Sequence, residues 1–380
     1  MNNDQDYEQL RLQFDAVVKQ LEEKEAIIQE LAEAVSAYRA AFAFFRYPLR
    51  AFSWVRRIIG RAIRALIRGA RPRLGNLYQH PPRPIYLPAH YQELSSLDHT
   101  PRVSIVTPSF EQGKYIHRTI ESVLGQQYPS LEYFVQDGGS EDETVDILCS
   151  CQDRLSGWES KPDSGQSNAI NLGFGRCTGE IMAWINSDDV LLPGAIHTVV
   201  NYFNRHPDVD VVYGDRLLID ENDLQIGRWI LPGHDPKVLS WADYIPQETL
   251  FWRRRAWASI GGRVDEDFRF AMDWDLLVRF REAGAKFAHI PRFLGAFRIH
   301  GRQKTSAAIT DIGYREMSMI RARIFGEVPS HKKINSATLP FLIRHLCADY
   351  FYQFRAFFQR PGLKFEVSPL RRSPVTSDRV

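Results

Sequence analysis

The sequence predicts an α/β protein with a mostly parallel central sheet, preceded by a long N-terminal coiled-coil helix and a basic amphipathic helix. Three patterns carry this prediction. Residues 1–45 place apolar side chains every three or four positions, residues 46–75 combine arginines with an apolar face, and from residue 101 short β-rich runs alternate with helical patterns. With 380 residues and 44% apolar side chains, the chain has room for one large α/β domain plus appendages.

The predicted coiled coil occupies residues 1–45. Its apolar positions run from Tyr7 to Phe45 in alternating steps of three and four, and only Lys24 interrupts the series. A sustained repeat of 3.5 residues places an apolar seam on one side of a helix, where a second helix can pack. The segment therefore predicts a homodimer or the binding of a partner helix, and a helix folded back on its own domain is the alternative.

The next segment, residues 46–75, is a strongly basic helix. Between Arg46 and Arg73 there are nine arginines and no acidic residue, so this segment carries +9 in a chain of net charge +2, which leaves −7 for the remainder. Seven arginines fall near one line of a helix, opposite an apolar face. The apolar face favours binding to an anionic membrane surface over binding to nucleic acid, because a helix that binds phosphates does not need an apolar face. Packing of this helix on the following domain is the alternative. The aligned arginines are Arg46, Arg50, Arg57, Arg61, Arg64, Arg68 and Arg71.

The remaining segments outside the α/β pattern are simpler. A Pro-rich stretch predicts a linker over residues 76–100, helical patterns cover residues 306–367, and residues 368–380 have the composition of a disordered tail. Four scattered cysteines predict neither a zinc cluster nor a disulfide framework, which favours a reducing compartment. The N-terminus is polar and acidic, so a signal peptide is not predicted. The sequence has no uncharged apolar run of about 18 residues, so a spanning helix is not predicted either.

Two adjacent carboxylates, Asp188 and Asp189, follow the short apolar run from Ile181 to Ile185. This is how a buried strand delivers acidic side chains to its carboxyl end, which is where ligands bind in open α/β sheets. Carboxylates with oxygen-rich neighbours suit Mg²⁺ or Mn²⁺ held together with a diphosphate. An acidic surface turn is the alternative for this motif taken alone.

Two strand-like runs upstream end in polar loops of the same kind. The first ends in Pro108 and Ser109, and the second runs into Asp137, with Gly138 and Gly139 directly after it. Both are followed by helical patterns, which is the rhythm of a nucleotide-binding half-domain with a parallel sheet. The glycines let the backbone approach a ligand, and the Asp137 carboxylate can accept from a base N–H or a ribose hydroxyl. A plain turn is the alternative.

Taken in order, these motifs resemble the family-2 glycosyltransferases of the GT-A fold. The resemblance extends over about residues 101–305, and it implies a GT-A glycosyltransferase domain there. It also implies transfer of a sugar from a nucleotide-diphosphate sugar to a glycan or lipid-linked acceptor, with Mg²⁺ or Mn²⁺ as the cofactor. The motifs that carry it are Pro108-Ser109, Asp137 to Thr144, Lys161 to Asn171, Gly173, Gly179-Glu180, Asn186 to Asp189, Pro246 to Glu248, Gly261-Gly262, Met272 to Asp275 and Arg298 to His300.

The resemblance implies a role for each of the matched residues. Asp188 would be the principal metal ligand, with Asp189 supporting it and His300 able to approach the metal or the diphosphate. Asp273 would be the general base, and Asp275 is the second candidate, which orients its helix or contacts the acceptor. The donor nucleotide sugar would be bound by Pro108, Ser109, Asp137, Gly139, Ser140, Lys161, Asp163, Gln166, Asn171, Asn186 and Ser187.

The apolar neighbours of Asp273 predict a partly buried carboxylate whose pKa is raised toward neutrality. A single base with direct displacement implies inversion at the anomeric carbon. Two positions depart from the family pattern: Asn186 stands where many members have an acidic residue, and Met272 stands where a glutamate is frequent. Three tryptophans are candidates for stacking on sugar faces, with burial in the core as the alternative: Trp252, Trp257 and Trp274.

The sequence thus predicts an inverting, metal-dependent glycosyltransferase, cytoplasmic and peripheral at the inner face of the cell membrane, that acts in cell-surface polysaccharide synthesis. A nucleotidyltransferase is one alternative, although the phosphate loop rich in Gly, Arg and Lys that such enzymes use is absent between Val103 and Gly113. A non-catalytic membrane scaffold on a degenerate domain is the other. The retained carboxylates Asp137, Asp188 and Asp273 disfavour it.

Overall fold

The computed structural model describes residues 78–91, 97–301, 312–358 and 363–365. All of them belong to one unit of the chain, Pro72–Val380. The predicted coiled coil (1–45), basic helix (46–75) and disordered tail (368–380) lie outside the described residues and stay predictions.

Strands and helices alternate along the described residues, as the sequence pattern predicts. The strands are β1 (Tyr78–Arg83), β2 (Ile85–Leu87), β3 (Val103–Ser109), β4 (Leu131–Asp137), β5 (Gly157–Ser160), β6 (Ile181–Trp184), β7 (Val190–Leu191), β8 (Val211–Ile219), β9 (Gln225–Trp229), β10 (Phe251–Arg253), β11 (Phe287–Arg298) and β12 (Leu363–Phe365). The α-helices are α1 (Ile116–Leu124), α2 (Thr144–Cys151), α3 (Gln166–Phe174), α4 (Ala195–Arg205), α5 (Pro236–Leu239), α6 (Arg254–Ser259), α7 (Met272–Glu282), α8 (Tyr314–Phe325) and α9 (His331–Phe358).

One half of the main sheet is parallel, with β6, β3, β4 and β5 as successive neighbours. Side chains of adjacent β3 residues, Ile105 and Val106, enter hydrophobic cores on opposite faces, as a strand covered on both sides requires. This confirms the predicted α/β class and its parallel core. Because parallel strands end at the same edge, the loops that follow these four strands lie along one rim of the sheet.

The other half of the sheet is mixed. Strand β10 runs antiparallel between β6 and β8, and β8 pairs antiparallel with β9 and parallel with β11. The long β11 also pairs antiparallel with β7, placing Ala296 opposite Val190. Since β7 follows the acidic loop directly, this pairing carries the residues after β11 to Asp188 and Asp189.

Part of the segment predicted as a linker (76–100) forms strands instead. Strand β1 pairs antiparallel with β9 at the edge of the main sheet, and β2 pairs with β12 in a separate two-stranded sheet. Pro81 and Pro82 fit in β1 because an edge strand has one side without hydrogen-bonding partners. The buried side chains of Ile85 and Leu87 anchor the segment in a third hydrophobic core. The prolines of this segment, which predicted a linker, therefore lie in a strand at the edge of the sheet.

The C-terminal helices α8 and α9 pack against the mixed half of the sheet. Ile320 of α8 and Phe341 of α9 are fully buried in the largest core, and Asp349 of α9 pairs with Arg228 of β9 at 2.7 Å. None of the helices in the described part of the chain combines the length and the apolar content needed to cross a membrane.

Candidate active site

The rim formed by the parallel strands begins with three residues in register, Ser109, Asp137 and Ser160. Asp137 is fully buried, and its carboxylate accepts hydrogen bonds from the backbone N–H of Gly139 (3.1 Å) and Ser140 (2.8 Å) and from the hydroxyls of Ser140 and Ser160 (both 2.6 Å). Its oxygens are thus used to shape the loop after β4. The structure favours this role for Asp137 over direct contact with a base or ribose.

Gly139 permits the close approach of that loop to the loop after β5. Its φ is +84°, and a Cβ atom there would lie 3.1 Å from the backbone nitrogen of Pro162. On the same side, the ring of Phe110 lies against Gly138 and is 61% exposed. An exposed aromatic ring on this rim offers a face on which a planar ligand can stack. Phe110 was not among the site residues predicted from the sequence.

The predicted donor residues from 161 to 171 lie in two places. Lys161 is exposed and pairs with Glu159, and the Asp163 carboxylate accepts from the N–H of Gly165 at 2.8 Å. Gln166, at the start of α3, donates to Asn186 at 2.8 Å and so reaches the acidic loop. Asn171 faces the other way: its side chain holds the backbone of residue 264 through two hydrogen bonds, of 2.8 and 2.9 Å. The structure therefore gives Asn171 a supporting role.

The acidic loop and the end of β11 meet as the β7–β11 pairing requires. The Asp188 carboxylate lies 2.9 Å from Nε2 of His300. Asp189 is buried and turns inward, where its carboxylate accepts from the backbone N–H of Arg298 at 3.0 Å. The Arg298 guanidinium, itself fully buried, donates to the carbonyl of Asp188 at 2.8 Å. Asp188, whose side chain is 19% exposed, thus faces the rim, His300 is buried against it, and Asp189 with Arg298 holds the loop in place.

Two further contacts fix the acidic loop. The hydroxyl of Thr119, on α1, lies 2.9 Å from the carbonyl of Ser187 and 2.7 Å from that of Asp189. Asn186 donates to the side-chain oxygen of Gln247 at 3.0 Å, and Gln247 donates to the carbonyl of Trp184 at 2.9 Å. Asn186, which replaces the acidic residue frequent in the family, is therefore built into an amide network across the site.

A cluster of carboxylates surrounds Arg216 beside the acidic loop. Arg216 donates to the buried Glu248, with Nε 2.8 Å from Oε1. Burial raises the pKa of Asp273 to about 6, the nearby Arg216 charge lowers it, and the Glu248 charge raises it. The same two charges act on Asp189, whose pKa is raised well above its usual value by burial first and by Asp188 next. The Arg216–Glu248 pair thus links the acidic loop electrostatically to the predicted base.

Asp243 also belongs to this cluster, although it was not among the site residues predicted from the sequence. Burial and then the negative charge of Asp273 raise the pKa of Asp243 well above its usual value, while Arg216 lowers it. Its Oδ1 is buried without a hydrogen-bond partner in the described structure. The available signal was a lone acidic residue within the apolar run Trp241 to Ile245, just before the Pro246–Glu248 motif.

Asp275 does not join the cluster. Its side chain is fully buried and lies between two arginines, 2.7 Å from Nε of Arg279 and 2.6 Å from Nη1 of Arg323. Each of its two carboxylate oxygens is thus paired with an arginine, and neither is exposed to an acceptor hydroxyl. Of the two roles considered, the geometry favours orientation of the helix.

The three tryptophans considered for sugar stacking are core residues. Trp252 and Trp274 have no exposed surface, and Trp257 is 6% exposed. Trp252 packs with Trp257 at 5.9 Å between ring centroids, and the indole N–H of Trp274 donates to the carbonyl of Leu239 at 2.8 Å. They pack between the sheet and α6 and α7, so stacking on a sugar is excluded by their burial.

The donor set at the acidic loop fits a divalent cation of the Mg²⁺ or Mn²⁺ type. Asp188 is part exposed and already approaches an imidazole nitrogen to 2.9 Å, so both groups point to one place. Carboxylate oxygen and imidazole nitrogen together suit Mn²⁺, and Mg²⁺ needs further oxygen ligands, which a diphosphate supplies.

The family model described as Glycosyl transferase family 2 matches residues 104–261. An uncharacterized glycosyltransferase of Mycobacterium tuberculosis (strain CDC 1551 / Oshkosh) is 31% identical over 184 residues, which cover 47% of this chain and 68% of that protein. The chain belongs to glycosyl transferase family 2. The predicted resemblance is thereby confirmed.

Two further similarities concern a curated relative and a solved structure. The chondroitin synthase of Escherichia coli is 30% identical over 226 residues, 58% of this chain and 32% of that protein. Among solved structures, S. aureus TarS 1–349 in complex with UDP-GlcNAc matches with a TM-score of 0.50 at 16% identity, covering 68% of this chain and 76% of that one. At this identity the structural match shows a shared fold.

Proposed function

We propose that this family-2 protein is an inverting, divalent-cation-dependent glycosyltransferase that moves a sugar from a nucleotide-diphosphate sugar to a glycan or lipid-linked acceptor. The observation that carries the proposal is the pairing of Asp188, in the acidic loop, with His300 at the rim of the sheet. The charges of Arg216 and Glu248 act both on this loop and on the carboxylate of Asp273, whose pKa is about 6. The Asp188–His300 pair suits the cation and the leaving diphosphate, and Asp273 suits proton transfer near neutral pH.

Breaking the bond between the anomeric carbon and the diphosphate leaves negative charge on the leaving group. Asp188 and His300 would hold the cation, with Asp189 and Arg298 keeping the loop in place. A bound cation of this kind supplies Lewis-acid stabilisation of that charge. Lys161, which is exposed beside the loop after β4, adds positive charge on the donor side.

The acceptor hydroxyl needs a base that is charged at working pH yet basic enough to take a proton. Asp273 meets both conditions, because a carboxylate with a pKa of about 6 is mostly ionised at pH 7 and is more basic than an ordinary aspartate. Direct attack assisted by one base inverts the anomeric configuration. Asp275, held between two arginines, would fix the helix that carries the base.

The nucleotide would bind along the rim formed by the loops after β3, β4 and β5. The exposed Phe110 ring offers a stacking face, and the loop shaped by Asp137 and Gly139 brings backbone groups close to the ligand. Pro108, Ser109 and Ser140 border the same rim. Gln166, Asn186 and Ser187 connect it with the acidic loop.

The relatives support a proposal for the class of acceptor. The match to a chondroitin synthase supports a growing glycan as acceptor, and a role in cell-surface polysaccharide synthesis. We further propose that the protein is cytoplasmic and peripheral at the inner face of the membrane, held by the basic helix of residues 46–75, and that residues 1–45 pair two copies or bind a partner. These segments lie outside the described residues, so their sequence alone supports the proposal.

The deciding experiment measures nucleoside diphosphate release from a panel of UDP-, GDP- and dTDP-sugars by the purified protein, with Mn²⁺ or with EDTA. We expect release with one donor class, dependent on the cation, and a product anomer opposite to that of the donor by NMR. Binding of a nucleotide without turnover would favour the scaffold. Pyrophosphate release from a nucleoside triphosphate and a sugar phosphate would favour a nucleotidyltransferase.

Membrane binding is tested by cosedimentation with vesicles of phosphatidylcholine alone or with phosphatidylserine. The full chain should bind the anionic vesicles, and more weakly as salt rises, because each arginine near the surface contributes about 1 kcal/mol that salt screens. The protein lacking residues 1–75 should stay in solution while still binding nucleotide. A further variant replaces four arginines of the basic face with Gln: Arg57, Arg61, Arg64 and Arg68. If this variant binds the vesicles as the parent does, the basic face is not the anchor.

A further inference from the structure

Helix α8 lies beyond residues 104–261, which the family model matches, yet one of its side chains holds the segment that carries the proposed base. The carboxylate of Glu316 is buried and accepts three backbone hydrogen bonds. The donors are the N–H groups of Arg269 (2.9 Å), Phe270 (2.8 Å) and Ala271 (2.8 Å). These residues immediately precede α7, and Asp273 is its second residue.

This contact fixes the backbone just before α7, whose own first turn already carries the carboxylates of Asp273 and Asp275. Ala271 is the residue that caps α7, and its methyl group offers no acceptor. The start of a helix presents unpaired N–H groups and the positive end of the helix dipole, and both favour a nearby anion. Glu316 provides that anion from another helix, so the entry into α7 is fixed by tertiary structure.

Other side chains of α8 hold the same neighbourhood. Arg323, two turns after Glu316 and on the same face, pairs with Asp275 at 2.6 Å. Arg321 donates to the carbonyl of Trp241 at 2.9 Å, two residues before Asp243. Helix α8 thus contacts the backbone that leads to both members of the Asp243–Asp273 carboxylate pair.

We infer that Glu316 is a positioning residue for the base: by binding residues 269–271 it sets where the Asp273 carboxylate stands relative to the acceptor. This inference rests on the proposed function, in which Asp273 takes the acceptor proton. Glu316 acts through the backbone and touches no reacting group. Its loss should therefore slow the chemical step and leave donor binding unchanged, because its hydrogen bonds within the described residues go to residues 269–271, none of which is a proposed donor residue.

The test is Glu316→Gln, which keeps the size of the side chain but removes its charge and one acceptor oxygen. Rates of nucleoside diphosphate release from the UDP-, GDP- and dTDP-sugar panel with Mn²⁺ give kcat and KM. We expect kcat to fall at least about tenfold, since small misplacements of a catalytic group are costly, with the donor KM changed by less than about twofold. A general loosening of the fold would raise KM as well. Glu327→Gln is the matched control, because Glu327 is exposed and pairs only with Lys333 in the described structure, and it should be silent.

A double-mutant cycle with Asp273→Asn separates positioning from a merely structural effect. Without the base carboxylate, Glu316→Gln should cause no further loss of kcat, whereas independent effects would multiply. Multiplied losses, or full kcat in Glu316→Gln, would overturn this inference while leaving the base assignment intact. If Asp273→Asn is fully active, or no donor is turned over by the parent, the proposed function fails and this inference with it.

The Glu316→Gln protein can be replaced in the cycle if it does not fold. Arg323→Gln removes the ion pair between α8 and Asp275 of α7. Because Arg323 is part exposed, its loss disturbs the core less. We expect the same pattern with a smaller fall in kcat: unchanged donor KM and no added effect over Asp273→Asn. A rise in KM with unchanged kcat would contradict a positioning role for α8.

Discussion

The raised pKa of Asp273 makes a quantitative prediction about the pH dependence of the reaction. Burial places that pKa at about 6, against 3.8 for an ordinary aspartate. A carboxyl of pKa 6 is about nine-tenths ionised at pH 7 and about one-tenth ionised at pH 5. We therefore expect kcat to fall about tenfold between pH 7 and pH 5, whereas a base with a pKa of 3.8 would lose less than about a tenth of its activity.

The assay is nucleoside diphosphate release at saturating donor, from pH 4.5 to pH 8 at constant ionic strength, with circular dichroism confirming the fold at each pH. The charged groups that act on Asp273 are Asp243, Glu248 and Arg216. If Asp273 is the base, Asp243→Asn should keep an acid limb near pH 6, and Asp273→Asn should lose activity at every pH. A rate that is flat down to pH 5 would refute the reasoning. So would an acid limb that disappears with Asp243→Asn, because that result would make Asp243 the base.

The same raised pKa affects stability with a defined sign. The folded protein favours protonated Asp273, so the stability this group contributes is present below pH 3.8 and is lost as pH rises through about 6. Asp273→Asn should therefore raise the free energy of unfolding at pH 8, by roughly 1–3 kcal/mol, and change it little at pH 4. Urea unfolding of both proteins at the two pH values measures this difference. Lower stability of the Asn variant at pH 8 would contradict the assigned burial.

Substitutions at three other places test the remaining parts of the site. Asp188→Ala should abolish turnover and Mn²⁺-dependent UDP binding by calorimetry while leaving the fold intact, and full activity of this variant in EDTA would exclude the cation assignment. Gly139→Ala should lower the free energy of unfolding by about 1–2 kcal/mol and weaken donor binding, because its φ is +84° and the new Cβ meets Pro162. Gly175, with φ of −59°, is the control, and Gly175→Ala should be tolerated in thermal unfolding. Asp275→Asn should destabilise the fold by about 3 kcal/mol in urea, since it leaves two arginine partners without their buried counter-charge, and a variant as stable as the parent would contradict this.

The sequence predicted the rim of the parallel sheet well, because local patterns determine it. The strands that end at Ser109 and Asp137 and the helix that begins at Gln166 lie where alternating β-rich and helical patterns put them. Parallel strands must end at one edge, so motifs that follow successive strands converge without any knowledge of tertiary contacts. Asp188 lies at this rim for the same reason, because it follows the parallel strand β6.

What the sequence could not predict depends on contacts between distant residues. The Asp188–His300 contact requires β7 to pair with β11, and the charge cluster requires Arg216 of β8 to meet Glu248. The inward turn of Asp189 depends on Arg298, 109 residues later, and the burial of Asp275 depends on Arg323 of the next described helix, α8. A motif gives the identity of a carboxylate, and only the packing decides which of two adjacent carboxylates faces the ligand.

Strand β1 and helix α8 determine how the protein can be shortened. The family motifs span residues 101–305, but a protein cut to that range would lose β1 from the edge of the sheet, leaving the hydrogen-bonding groups of β9 open to pairing with another chain. It would also lose Glu316 and the buried Ile320. A soluble, homogeneous preparation should therefore begin before Tyr78 and continue through α9. Aggregation of a fragment trimmed to the motifs would reflect a stripped sheet edge, and its inactivity would say nothing about the chemistry of the full chain.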